Sequence, residues 1–228
     1  MYGTRAAADG WHSEYSTTLT DLGFQTGNAS ACVLRHVAKR LVASVHGDDF
    51  TICGPKSKLD QLKGDMQKKY GLVELARLGP GPDDDKEVNI LNRIVRWTEF
   101  GVEYEADPRQ GEKIVNELGL TGASKSGTPG IKRTFEDAKA EKDLPRDKHT
   151  AFRGVGARAN YLSADRPEIQ YASKEICRFM ASPTDQGVVA LKRLGRFLEG
   201  KKRLIFDYPF QEAERVEVYS DTDWSGYC

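Results

Sequence analysis

An α+β fold is what this 228-residue sequence predicts, and three observations carry it. Trp11, Tyr15, Leu19 and Leu22 recur at steps of four, four and three, the period of one helix face. Residues 32–53 instead alternate short apolar runs with polar breaks, as strands joined by turns do. After residue 148 three helical patterns follow one another, so the chain is mixed first and mainly helical later.

The first helix spans Arg5 to Phe24, with Gly23 as its stop. Strands are expected at Cys32–His36, Leu41–Val45 and Phe50–Cys53, with a turn at Gly47-Asp48-Asp49 between the last two. Gly54-Pro55 ends the third strand. Ser57 followed by Asp60 resembles a capping box, opening a helix with Leu59, Leu62, Met66 and Tyr70 on one face. "GPGPDDDKE", Gly79 to Glu87, is a loop by composition. Val88–Trp97 and Val102–Glu105 read as a strand pair, followed by a helix carrying Ile114, Val115 and Leu118. Gly119 to Lys148, rich in Gly, Ser, Thr and Lys, reads as a linker with one short helix. Helices follow at about Thr150–Leu162, Pro167–Met180 and from the N-cap Thr184 to Gly200. Strand-like runs at Arg203–Tyr208 and Val216–Tyr219 close the chain. A last strand without partners is not independently stable, so the pattern reads as a fragment.

Composition narrows the class without naming a partner. The 34 acidic and 34 basic residues balance, so only local clustering can point to a polyanion. No apolar run nears the ~20 residues of a membrane helix, and the N-terminus lacks the pattern of a secretory signal. Cys32, Cys53, Cys177 and Cys228 are far apart; they read as reduced thiols of a cytosolic or nuclear protein, with no zinc site expected.

The stretch "LVASVHGDDFTICG" sets Asp48 and Asp49 side by side between two apolar runs. An ordinary polar turn is one reading, since Asp and Gly favour turns for local backbone reasons. A metal site is the other. Two neighbouring carboxylates in a poorly solvated place raise one pKa unless a cation neutralises them, and a hard divalent ion with oxygen ligands does so. Adjacent strand residues face opposite ways, which makes Asp48 the better direct ligand. A pair of such ions would serve in-line phosphoryl transfer.

These residues resemble a known family. "HGDDFTICG" is similar to the aspartate hairpin of reverse transcriptases, most closely that of copia-type retrotransposons, usually Tyr-Val-Asp-Asp. "MYGTRAAADGWHSEY", Gly23-Phe24, Ala31-Cys32-Val33-Leu34, "NYLSADRPEIQYA", "RFMASP" with "LKRLGRFLEG", and "YSDTDWSG" resemble further family stretches in the same order. The resemblance implies a right-hand polymerase: a palm portion at 1–120, a linker at 121–148, a helical thumb and connection at 149–205, and the truncated start of a ribonuclease H-like domain at 206–228. It implies that Asp48 and Asp49 are two of three polymerase carboxylates holding Mg2+, with Mn2+ a substitute, and that Asp221 is the first ribonuclease H metal ligand. The implied partners are an RNA template, a DNA primer, deoxynucleoside triphosphates and the remainder of the Pol polyprotein, with no membrane.

Departures matter too. In the family the third polymerase carboxylate lies upstream of the Met1 region and the other ribonuclease H acids beyond Cys228, so the polypeptide is expected to be inactive alone. His46 and Gly47 replace the usual Tyr-Val near the primer end. A non-catalytic or domesticated nucleic-acid-binding remnant is the alternative. A viral RNA-dependent RNA polymerase is the third reading, and "YSDTDWSG" argues against it.

Lys192, Arg193, Arg196, Lys201, Lys202 and Arg203 form a basic stretch opposed only by Glu199. It reads as a solvated helix face or as a track for a phosphate backbone, sequence-independent in the second case. His12, His36, His46 and His149 have no ligand spacing, and only His46 lies near the aspartates, as packing or primer contact. Asp83–Asp85 reads as a solvated loop. "SKSGT" at 124–128 lacks the glycine spacing of a phosphate-binding loop. Ser220 has no triad context.

Overall fold

The computed structural model describes residues 3–132, 134–212 and 214–220. The chain is α+β and forms two compact units, divided between Leu75 and Ala76.

The first unit opens with helix α1 (Arg5–Asp21), whose N-cap Thr4 hydroxyl accepts from the Ala7 amide. The helix stops where expected, and Gly23 leaves it at φ +94°, a conformation glycine adopts without strain. Strands β1 (Gln25–Thr26), β2 (Val33–His36), β3 (Leu41–His46) and β4 (Asp49–Cys53) form an antiparallel meander in that order, and helix α2 (Lys56–Gln67) follows. Strand β3 alternates strictly: Leu41, Ala43 and Val45 are buried, while Val42, Ser44 and His46 are exposed. Only one face of the sheet is therefore core, packed with Tyr15 and Leu19 of α1 and Leu62 and Met66 of α2. The expected capping box at Ser57 and Asp60 does not form. Pro55 takes the N-cap position two residues earlier, its fixed φ of −63° launching the helix without a side-chain cap.

The second unit pairs a sheet with a layer of helices. Strands β5 (Glu87–Ile90), β6 (Arg93–Trp97) and β7 (Gly101–Glu105) form a meander, and β8 (Ile205–Pro209) adds to β7 at the edge. The run 88–97, expected as one strand, is broken by Leu91 and Asn92, both left-handed at φ 50° and 67°. Two left-handed residues between paired Ile90 and Arg93 make the tight turn that right-twisted hairpins favour.

Helices α3 (Pro108–Glu117), α4 (Phe135–Ala140), α5 (Arg146–Ser163), α6 (Gln170–Cys177) and α7 (Asp185–Gly200) follow, with a 3-10 turn at Pro167–Ile169. Thr184 caps α7 as expected, its hydroxyl accepting from the Gly187 amide. Ile114 and Val115 of α3 share a core with Phe152 and Leu162 of α5, Ile176 of α6 and Leu191 and Leu194 of α7. That packing places α3, and the strands before it, in the second unit, whereas the sequence reading groups residues 1–120 together. The reading also opens a new domain at residue 206, yet Phe206 to Pro209 are hydrogen-bonded to Gly101–Tyr104. Residues 216–219, expected as a strand, carry no regular structure and are exposed, because no strand among the described residues takes their backbone groups.

Two buried ionic clusters tie this unit together. Glu105, 2% exposed, is gripped by Arg203 through Nε and, at 2.6 Å, Nη2, and by Arg96 at 2.9 Å. Arg166, also 2% exposed, donates to Glu168 at 2.6 and 2.8 Å and to the carbonyls of Lys201 and Lys202 at 2.9 and 3.4 Å. No helix among the described residues is long and apolar enough to cross a membrane.

The Glu105 grip predicts acid sensitivity. The Arg203 hydrogen bonds hold the Glu105 carboxyl below its ordinary value of 4.5, against the opposing effect of burial and with help from Arg96. A lowered folded pKa contributes stability above the unfolded value and loses it as pH falls through the folded one. Urea unfolding followed by Trp97 fluorescence should show the second unit weakening below pH 4.5, with a shallower slope in Glu105→Gln.

Gly101 supplies a second test. A Cβ there would sit 2.2 Å from the Tyr208 carbonyl oxygen and 2.8 Å from Pro209 Cα, both backbone atoms of β8. Gly101→Ala should cost about 2 kcal/mol by overpacking. Trp97, whose ring lies 4.8 Å from that of Phe210, should report the loosened edge by a shift in emission.

Candidate functional site

The β3–β4 hairpin carries the two aspartates. His46 pairs with Asp49, which leaves Gly47 and Asp48 as a two-residue turn. Gly47 takes φ +61° and Asp48 does not join it, the arrangement of a turn with glycine in its first central place. Asp48 and Asp49 are both exposed. This corrects the expectation of a poorly solvated pair: the strands bury one face only, and the turn projects past their end.

What fixes the turn comes from α1. The Trp11 indole Nε1–H donates to the Gly47 carbonyl at 2.6 Å. The Trp11 ring meets those of Tyr15, Phe50 and Tyr70 edge-on, with centroids 5.9, 6.2 and 5.6 Å away. Phe50, directly after Asp49, also stacks on Tyr70 at 6.5 Å. Both neighbours of the aspartate pair are thus held, Gly47 by its carbonyl and Phe50 by its ring. Beneath them Tyr70 and Thr18 share a hydrogen bond of 2.6 Å, and Lys69 bridges Thr18 at 2.6 Å and Glu14 at 2.7 Å. The hydrogen bond that Lys69 donates keeps the Glu14 carboxyl below its ordinary value and holds Lys69 above its own. Tyr15 is pushed up to about 12 by burial and by its contact with Cys32.

Oxygen-only donors on a fixed, accessible turn suit a hard cation such as Mg2+, which takes one or two protein carboxylates and completes its shell with water and substrate phosphates. Among the described residues no three His, Cys, Asp or Glu side chains gather to hold an ion. His46 is exposed on the solvent face beside the turn. Asp221 lies outside the described residues.

The basic stretch does not present one uniform face. Lys192 is exposed on α7, and Lys201 and Lys202 follow its end, with the Lys201 ammonium 6.0 Å from the Phe197 ring and Lys202 3.6 Å from Glu199. Arg193 instead holds Thr128 through its carbonyl and hydroxyl, at 3.1 and 2.7 Å. Arg203 is committed to Glu105. Arg196 is half-buried, and its Nε has no hydrogen-bond partner among the described residues. Sequence reasoning gave Trp11 only a place on a helix face; its role at the turn shows in no local pattern, because 36 positions separate donor and acceptor.

Comparison with known proteins places the chain. No family model matches it, and no solved structure does. It is 25% identical over 240 aligned residues, 99% of its length, to each of two Arabidopsis thaliana proteins, the retrovirus-related Pol polyproteins from transposons RE1 and RE2. It spans 15% of the length of each. An uncharacterized mitochondrial protein of Arabidopsis thaliana is 30% identical over 122 residues, 52% of this chain and 48% of that protein. From end to end, then, the chain is homologous to one stretch of retrovirus-related transposon Pol polyproteins.

Proposed function

We propose that this chain is part of the reverse transcriptase of a copia-type Pol polyprotein, an RNA-directed DNA polymerase, continuing toward ribonuclease H. The observation that carries the reading is the Asp48–Asp49 pair on an anchored turn of an antiparallel hairpin, within a chain similar throughout its length to retrovirus-related transposon Pol polyproteins. In this reading Asp48 and Asp49 hold Mg2+ or Mn2+. When bound, the metal activates the primer 3′-hydroxyl and neutralises the triphosphate of the incoming deoxynucleotide.

The chain's own residues supply position and charge. The turn presents the carboxylates beyond the end of the sheet, where a primer end reaches them, and His46 lines that approach. Lys192 and Lys201, on and just after α7, neutralise backbone phosphates of the template–primer duplex without reading its sequence. The resemblance implies that the third carboxylate belongs to a strand upstream of the Met1 region. The sheet has room for its strand: β4 is an edge, with no partner on its outer side among the described residues. Asp221 opens the ribonuclease H metal set.

Primer extension on an RNA template with Mg2+ tests this. The 228-residue chain should give none alone, and should give extension when joined to the polyprotein segment encoded before it. A folded, joined protein that does not extend the primer would leave the non-catalytic, nucleic-acid-binding reading in its place.

A further inference from the structure

We infer that Trp11 is the positioning residue of the Asp48–Asp49 turn, setting the direction of both carboxylates from a helix that carries neither. This rests on the reading of the pair as a metal-holding site. A two-residue turn at the free end of a hairpin has little of its own to hold it: its side chains are exposed, and only the last ladder pair, His46 with Asp49, restrains it. Trp11 adds restraint on both sides at once. Its N–H fixes the carbonyl of Gly47, and with it the peptide plane that leads into Asp48. Its ring closes on Phe50, which fixes the residue that leads out of Asp49. The indole itself is held edge-on between Tyr15 and Tyr70, and Tyr70 is pinned by Thr18. Positional error is therefore passed from the turn to the buried side of the first unit. A phenylalanine at position 11 would keep the ring contacts and lose the donor.

The test uses the full chain and two readouts. Amide hydrogen exchange of the 45–52 segment should quicken about tenfold in Trp11→Phe, as expected for one lost hydrogen bond. Segments in α1 and α2 should be unchanged. Lys68→Ala, which removes an exposed ion pair with Asp65 just beyond α2 and outside the aromatic cluster, should leave 45–52 as in the natural chain. Binding of Mn2+ alone, followed by electron paramagnetic resonance, should weaken about tenfold in Trp11→Phe and vanish in Asp48→Asn/Asp49→Asn. Unchanged exchange at the turn, undiminished Mn2+ binding in Trp11→Phe, or acceleration spread over the whole unit would each overturn the assignment, the last by reducing Trp11 to packing. Faster exchange confined to the turn, in a natural chain that fails to bind Mn2+, would keep the positioning role and remove the metal reading instead.

Discussion

On the proposed function, Asp48→Asn should lower templated extension by the chain joined to its preceding segment about a thousandfold or more, with the unfolding midpoint of the first unit unchanged. A metal ion that neutralises transition-state charge is worth several kcal/mol, and each 1.36 kcal/mol is a decade in rate. Asparagine keeps the shape of the side chain and suits a turn, but it brings no charge to the ion. Asp48 sits in the exposed turn, so a surface substitution there costs little stability. Asp49→Asn should reduce extension less, since Asp49 belongs to the ladder opposite His46 while Asp48 lies in the turn itself. Steady-state extension rates with both variants, beside circular dichroism melts, check the order. A larger loss in Asp49→Asn would exchange the two roles.

The largest stability effect is expected at Arg166. Its guanidinium is buried and answers one carboxylate and two main-chain carbonyls, so Arg166→Ala strands all three at once. Breaking a buried pair from one side costs about 3–5 kcal/mol, because the remaining charge stays uncompensated. Arg166→Lys should recover only part of this: an ammonium is a point donor and cannot fork between Glu168 and the segment after α7. Denaturant unfolding read at Trp97 would show both losses as lower midpoints with an unchanged slope. An Arg166→Ala midpoint close to that of the natural chain would mean that water enters and replaces the fork.

Much of this architecture is legible in the sequence, for reasons that differ by element. Helix α7 shows itself fully: Thr184 marks the cap, and Leu191, Leu194 and Leu198 mark the stripe that is buried. Strand β3 is equally plain, since its alternation is the burial pattern itself. The turn at Leu91–Asn92 is hidden because leucine is no turn former and only Asn92 hints at a left-handed residue. The edge pairing of β8, the packing of α3 in the core of the second unit, and the Trp11–Gly47 bond are all long-range, and period or propensity carries no sign of them. At the hairpin, the sequence marks the aspartate pair, and the fold shows what holds its turn still.

The pairing of β7 with β8 has a consequence for biogenesis. Strands β5 to β7 can zip together as they leave the ribosome, since each meets its neighbour across a short turn. Their fourth strand is made far later: Arg203, at its threshold, is 98 positions beyond Glu105, its partner. Bringing such distant segments together must await the helices between them, which shorten the effective span that diffusion has to close. Until then the growing chain displays an open sheet edge and an unneutralised Glu105. The growing chain thus has an interval, until β8 is made, in which this edge is open to wrong partners, and chaperone demand should peak there.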